Sequence, residues 1–363
     1  MTFVLLAALG LLLALLLRSF AGRRFRLETN ADAIFFATTS DGARLAVHRY
    51  LPSAPRAGEL PVVLCHGLGA NRFNLDFDER YSFARYLRGR GYDVFVMELR
   101  GAGLSHGGGP RSHTFDDHVE RDMPAVLDLV RSLTGAEKVN WVGHSLGGII
   151  AYAALATALK DRLHAIATLG SPATFAHQRF LRVMAFFHPL VRPFVGVATA
   201  LPARLFAPFF VRPLAPVFSL LANGRNLDAS VARRALWNLV SDVSPGVIAQ
   251  FVGWIKKRSA PHISAQREPD SHWAHVDQPM LFIAGQADWA LAPPAAVRHA
   301  FYKSASAQKE IIVLAKKNGF SADYGHGDLV LGENAPQEVF PLIERFLWQH
   351  RRLEVASETR RVA

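Results

Sequence analysis

Trp141-Val142-Gly143-His144-Ser145-Leu146-Gly147-Gly148 is the stretch on which the reading of this chain turns. The apolar residues Val139 to Val142 lead into it, and small and apolar residues from Gly148 to Leu159 follow. This order predicts a buried strand, a tight turn and a helix. The turn has the form G-x-S-x-G. It places a serine where the chain bends so sharply that the residues two before and two after it must lack side chains. Gly143 and Gly147 supply that clearance. The Ser145 hydroxyl is then held clear of the sheet, at the start of a helix, where a base can reach it. The bare pattern is common and also describes a glycine-rich turn with a bystander serine. The strand before it and the helix after it set this instance apart.

Outward from that turn the chain alternates strand and helix signals. Ile34–Thr39 and Arg44–Leu51 flank Ser40-Asp41-Gly42, which reads as a hairpin. Leu60–Cys65 reads as a buried strand, Glu79–Arg88 as a helix ended by Gly91, and Tyr92–Leu99 as a strand. Phe115–Leu133 reads as one helix, with Thr114 as N-cap and Gly135 beyond its end. Lys138–Val142, Leu163–Gly170, Pro279–Ala284 and Glu310–Leu314 read as strands, and Pro336–Gln349 as the last helix. Alternation of this kind implies a mostly parallel sheet flanked by helices. Functional residues are then expected just past the carboxyl ends of the strands.

A nucleophilic serine needs a base, and the base needs an orienting carboxylate. At a turn of this type the order along the chain is Ser, acid, His. Leu281-Phe282-Ile283-Ala284-Gly285-Gln286-Ala287-Asp288 ends an apolar strand in an acid, and Pro293-Pro294 breaks the chain soon after, so Asp288 is the expected carboxylate. His326 lies in Tyr324-Gly325-His326-Gly327-Asp328, between two glycines that leave its ring little packing role, and is the expected base. His144 is expected to pack under the turn and to transfer no proton. The oxyanion of an acyl-transfer intermediate needs N–H donors. The backbone of Leu146 and that of Leu68, in His66-Gly67-Leu68-Gly69, are the expected pair.

With these residues in place the chain resembles the α/β-hydrolase superfamily, in particular its bacterial lipase, esterase and lysophospholipase-like serine hydrolases. HGLGAN at 66–71, GHSLGG at 143–148, and GQADWALAPP followed by YGHGDLV carry the resemblance, and RGAGLS at 100–105 adds to it. The resemblance implies an α/β-hydrolase fold with an inserted, mainly helical cap. The expected core is 30–172 with 276–350, the cap 173–275, and 351–363 a polar tail. It also implies a carboxylic-ester hydrolase working through an acyl-enzyme, with no metal and no organic cofactor. Similar polymer synthases carry Cys as nucleophile, and dehalogenases and epoxide hydrolases carry Asp. Position 145 is Ser, which disfavours all three. An acyltransferase using the same residues, and a non-catalytic lipid-binding member of the fold, remain as alternatives.

Composition adds a lipid context. Half of the 363 residues are hydrophobic, which suits a large buried core. The single cysteine, Cys65, excludes an intrachain disulfide framework and a multi-cysteine metal site. There are no internal repeats, no H-E-x-x-H and no P-loop. The net charge of +11 is compatible with nucleic acid or an anionic membrane, and the absence of a recognition motif argues against nucleic acid. Phe3–Leu17 is an apolar run followed by Arg18, Arg23, Arg24 and Arg26. It reads as a membrane anchor over 1–22, with the catalytic body on the cytoplasmic side by the positive-inside rule. Ser19-Phe20-Ala21 keeps a cleaved secretory signal open. From Ala173 to Ala222 there is no Asp or Glu, while Arg179, Arg182, Arg192, Arg204 and Arg212 are interleaved with phenylalanines that include Phe186, Phe187, Phe206, Phe209 and Phe210. Such a surface suits anionic headgroups and acyl chains. The plainer reading is a cap whose phenylalanines pack on the core.

Overall fold

The computed structural model describes residues 22–56, 58–107, 113–191, 199–209, 219–266, 268 and 270–351. The apolar run Phe3–Leu17, the cap residues Phe210, Arg192 and Arg212, and all but the first residue of the expected tail lie outside them. Nine strands form one sheet: β1 Ala33–Thr38, β2 Ala43–Tyr50, β3 Val62–Cys65, β4 Val94–Met97, β5 His106–Gly107, β6 Val139–His144, β7 Leu163–Leu169, β8 Met280–Gly285 and β9 Lys309–Leu314. The order across the sheet is β1-β2-β4-β3-β6-β7-β8-β9, with β5 paired to β2. From β4 to β9 the pairs are parallel, and β1 and β2 form an antiparallel edge.

The central strands are apolar on both faces, which is why their residues read as continuous hydrophobic runs. Alternate residues face opposite ways. Val62 and Leu64 join α1 (Phe83–Gly89) and the last helix on one side of the sheet. Val63 and Cys65 join α2 (Met123–Thr134), α3 (Leu146–Ala154) and their neighbours on the other. Several helices begin differently from the sequence expectation: that after Ser145 starts at Leu146 and not Gly148, the last starts at Phe340 and not Pro336, and two more have a visible cause. α1 starts at Phe83, because Ser82 caps it and Asp78 Oδ1 instead takes the N–H groups of Arg80 and Tyr81. The helix expected over 115–133 opens with a capping box between Thr114 and Asp117, widens into a π turn over His118–Asp122, and becomes regular only at Met123. The wide turn holds Asp122, which Arg100 and His118 both bind. Asp122 thus carries one local partner, His118, and one from the loop after β4, Arg100.

Between β7 and β8 the described residues include four α-helices: α4 Arg179–Val191, α5 Ala200–Phe206, α6 Ala229–Asn238 and α7 Pro245–Lys257. After β8 come α8 Pro294–Lys303 and, near the end, α9 Phe340–Gln349. α4 packs on α7, and α5 packs on α6. No helix among the described residues is long and apolar enough to cross a membrane.

The first described residues are stitched to the cap. Asn238 Oδ1 accepts from Leu27 N–H at 2.9 Å, and its Nδ2 donates to Phe25 C=O at 2.7 Å. The Phe25 ring lies 6.3 Å from that of Trp237. Asn238→Ala leaves buried backbone groups without partners, so we expect a loss of about 1–3 kcal/mol in unfolding free energy. It should also bring faster tryptic cleavage at Arg23, Arg24 and Arg26. An unchanged melting temperature and cleavage rate would show that this amide is incidental.

Candidate active site

The turn after β6 has the tightness that its glycines suggest. A Cβ on Gly143 would lie 2.3 Å from the Gly147 carbonyl carbon, and one on Gly147 would lie 2.2 Å from the Cys65 carbonyl oxygen. No side chain fits at either position. Between them Ser145 is forced to φ 53°, ψ −114°, a strained left-handed conformation for a residue other than glycine. Its N–H donates to Leu169 C=O at 2.8 Å, which ties the turn to the end of β7. The Leu146 N–H, at the start of α3, makes no hydrogen bond among the described residues, and neither does that of Leu68. The Leu68 loop adjoins the serine, since a Cβ on Gly67 would come 3.1 Å from Ser145 Cβ.

Asp288 and His326 come together across the ends of β8 and β9. Asp288 Oδ2 lies 2.6 Å from His326 Nδ1. Its other oxygen accepts from Leu291 N–H at 3.1 Å and Ala292 N–H at 3.0 Å, so the buried carboxylate is fully used. These bonds fix its orientation and, through it, the ring. The ring packs on Gly170, whose added Cβ would lie 3.1 Å from Nδ1. Gly170 directly follows Leu169, the residue that anchors Ser145. The Ser145 hydroxyl makes no hydrogen bond to His326. Bonds of this kind are commonly long until substrate is bound.

Three supports were not legible as site residues in the sequence. His144 is one. Its Nδ1 lies 2.9 Å from Asn74 Oδ1 and its Nε2 lies 3.2 Å from the His326 carbonyl. Asn74 Oδ1 also accepts from Gly67 N–H at 3.2 Å. Burial, then the neighbouring His326, drives the pKa of His144 down to about 3. A neutral ring has one N–H, so it donates to one of the two acceptors at a time. His144 thus sits between the loop after β3 and the loop after β9, hydrogen-bonded to one of them at a time. Asp328 is the second. It takes Gly325 N–H, Asn223 N–H at 2.8 Å and Asn226 Nδ2 at 2.8 Å, joining the His326 loop to the chain returning from the cap. Burial raises its pKa against the effect of those donors. The third is His66, whose Nε2 accepts from Leu99 N–H at 3.0 Å. Burial lowers its pKa to about 4.

A small open depression lined by Leu68 and Leu146 lies beside the loop after β3. Leu99 and His113 form part of its wall, and Val243 and Val247 close it from the cap. On the acid side, Trp289 follows Asp288, is 50% exposed, and meets the Phe180 ring of α4 edge-on at 5.3 Å. Among the described residues no group of three or more His, Cys, Asp or Glu is arranged to hold a metal ion.

Residues 61–313 match the family described as the alpha/beta hydrolase fold, and the chain belongs to that family. It is 33% identical over 156 residues to lipase member N of Homo sapiens, a match covering 39% of each chain. It is 35% identical over 133 residues to gastric triacylglycerol lipase of Mus musculus, covering 33% of each chain. The matches thus span two fifths or less of the length of these relatives. Among solved structures, a thermophilic esterase from Thermogutta terrifontis superposes with a TM-score of 0.60 at 20% identity, covering 88% of this chain and all of that one, a likeness of fold.

The buried histidines set a pH dependence of stability. His66, His113 and His144 have pKa values lowered to about 4, 4 and 3, chiefly by burial. Below their ordinary value of 6.5 the unfolded chain takes up protons that the folded chain refuses, so stability is present above that pH and lost as pH falls. Glu59 opposes this, because burial raises its pKa to about 7 and the folded chain gains its proton first. The three histidines outweigh Glu59, so stability should fall as pH drops from 6.5 to 5. Denaturant unfolding at pH 7, 6 and 5 checks this. A flat or rising stability over that window would mean that these rings are not held neutral.

Proposed function

We propose that the chain is a serine hydrolase that cleaves carboxylic esters of fatty acyl groups through an acyl-enzyme. The observation that carries this reading is the 2.6 Å contact between Asp288 Oδ2 and His326 Nδ1, in an imidazole packed at the end of the strand that anchors Ser145. Ser145 Oγ attacks the ester carbonyl carbon and passes its proton to His326 Nε2. Asp288 holds the Nδ1–H tautomer and balances the imidazolium. The N–H groups of Leu68 and Leu146 receive the oxyanion, and both are unused by the fold. Collapse of the intermediate breaks the C–O bond, and His326 gives its proton to the departing alcohol. Water, deprotonated by the same ring, attacks the acyl-enzyme and releases the acid and Ser145.

The relatives named as lipases support an acyl ester as substrate. Association with lipid through the Phe3–Leu17 run belongs to the same reading, supported by its apolar sequence and the arginines after it.

Ser145→Ala should fold normally and lose labelling by a fluorophosphonate probe. Undiminished labelling of that variant would remove Ser145 from the reaction. Asp288→Asn should lower kcat by up to about 10⁴-fold, by the cost of the wrong tautomer. His326→Ala should be equally damaging, and the double variant little worse than either single one. Losses that simply multiply would show that the two residues do not act together.

A further inference from the structure

We propose that the cap and the rim of the candidate active site form one lipid-docking face, whose partner is an anionic phospholipid bilayer. The inference rests on the acyl-ester reading above and deepens it, because it fixes the side from which substrate arrives. Three observations carry it.

The first is where apolar surface is left uncovered. Phe186 on α4 is 72% exposed and Leu205 on α5 is 57% exposed, with Val183, Met184, Leu201 and Phe206 also exposed beside them on those helices. Large uncovered apolar patches on soluble domains mark interaction sites. The same character continues to the catalytic groups. Exposed Trp289 next to Asp288 packs on Phe180 of α4, and Leu68 and Leu221 are also exposed, Leu221 accepting a hydrogen bond from Gly327 beside His326.

The second is charge. No Asp or Glu occurs from Ala173 to Leu227. Arg179 and Arg204 are exposed among the apolar side chains, and Arg23, Arg24 and Arg26 are largely exposed beside the cap. Two exposed acids border this surface: Glu28 stands two residues past Arg26, and Asp242 accepts from Ala200 N–H at the start of α5. Apolar side chains ringed by arginine fit acyl chains beneath anionic headgroups, and they do not fit a protein partner in search of mixed charge.

The third is the exit of the chain. Gly22, the first described residue, faces Trp237, with 3.6 Å between its Cβ position and that ring. Asn238 fastens Phe25 and Leu27 to α6, and Arg204 Nε of α5 donates to Trp237 C=O at 3.2 Å. The described chain therefore begins beside α5, and the Phe3–Leu17 sequence stands shortly before that point. A bilayer that takes up this run lies next to the exposed side chains of α5.

The test uses the full chain. Cys65 is wholly buried and its thiol is pushed up in pKa by burial, so an introduced surface cysteine is labelled selectively. Leu205→Cys and Tyr302→Cys each receive an environment-sensitive fluorophore. Tyr302, 73% exposed on α8, serves as the control outside α4 and α5. On vesicles of phosphatidylcholine with phosphatidylglycerol, the label at 205 should shift to the blue and be quenched by brominated acyl chains. The label at 302 should stay in water. Arg179→Gln and Arg204→Gln should each lower partition onto these vesicles by roughly fivefold at low salt, and pure phosphatidylcholine should show no such dependence. Phe186→Ser with Leu205→Ser should leave turnover of a soluble short ester unchanged and depress turnover of a vesicle-borne ester.

If vesicle-bound protein keeps the label at 205 as wet as that at 302, or if the chain does not bind, the docking face is overturned, even though a soluble ester is hydrolysed. If the label enters lipid while no ester is hydrolysed, the docking face stands and the catalytic reading fails.

Discussion

The backbone approach between Gly147 and the Cys65 carbonyl is the constraint on which the site depends. Because a Cβ at 147 would stand 2.2 Å from that oxygen, α3 starts almost in contact with β3. β3 and β6 pair in parallel, with Cys65 and Gly143 as register partners. The chain leaving β3 therefore emerges beside the chain leaving β6. A single packing event thus forces Ser145 into its strained φ, exposes the Leu146 N–H at the helix start, and lays Gly67-Leu68 alongside. Strain of this kind is worth about 1–3 kcal/mol, and the surrounding apolar sheet supplies far more than that on folding. The strain persists because the site is embedded in the best-packed part of the molecule.

The remaining groups arrive on loops, and loops need ties. Each tie here is a buried polar group that spans two segments distant in sequence. Asp288 joins the loop after β8 to His326. His144 sits between Asn74, in the loop after β3, and the His326 carbonyl, hydrogen-bonded to one of them at a time. Asp328 joins the His326 loop to Asn223 and Asn226, where the chain returns from the cap. Removing one partner from such a contact strands a buried donor or acceptor, which costs more than the bond itself contributes. The position of His326 is therefore coupled to the cap as well as to the sheet. A displacement of residues 221–226 would act on the ring through two glycines with little room around them.

How much of this was legible follows from the range of each interaction. The strands and their order of appearance could be read because apolar runs bounded by Gly and Pro are local signals. Gly143, Ser145 and Gly147 could be read because the sterics of one turn dictate them. Asp288 and His326 could be read as isolated polar residues after apolar strands, and the structure puts them in contact. The π turn at His118–Asp122 could not be read, since the residues around it suit a regular helix and the Arg100 partner of Asp122 lies 22 residues before it. Asn74 lies in a loop where any amide looks alike, and only the fold brings it to His144. Asp328 stood in the quoted motif two residues past His326, yet its partners come from the cap, about 100 residues away. Ser82 as a helix start was masked by Glu79 and Arg80, which suit a helix but lie in an Asx turn.

The excess of positive charge acquires a location once the pairing is known. In the core, arginines are matched to acids, Arg49 with Asp93, Arg72 with Asp76, Arg100 with Asp41 and Asp122, and from the cap Arg234 reaches Asp78. These pairs neutralise locally and hold loops and helices in register with the sheet. The stretch from Ala173 to Leu227 contains no acid, so its arginines have no carboxylate of their own segment to pair with. A net charge of +11 is thus unevenly spread, and its unbalanced part falls where large apolar side chains are most exposed. In water the two features work against each other, because exposed phenylalanine favours association and like charge opposes it. At an anionic, acyl-rich surface both become favourable together.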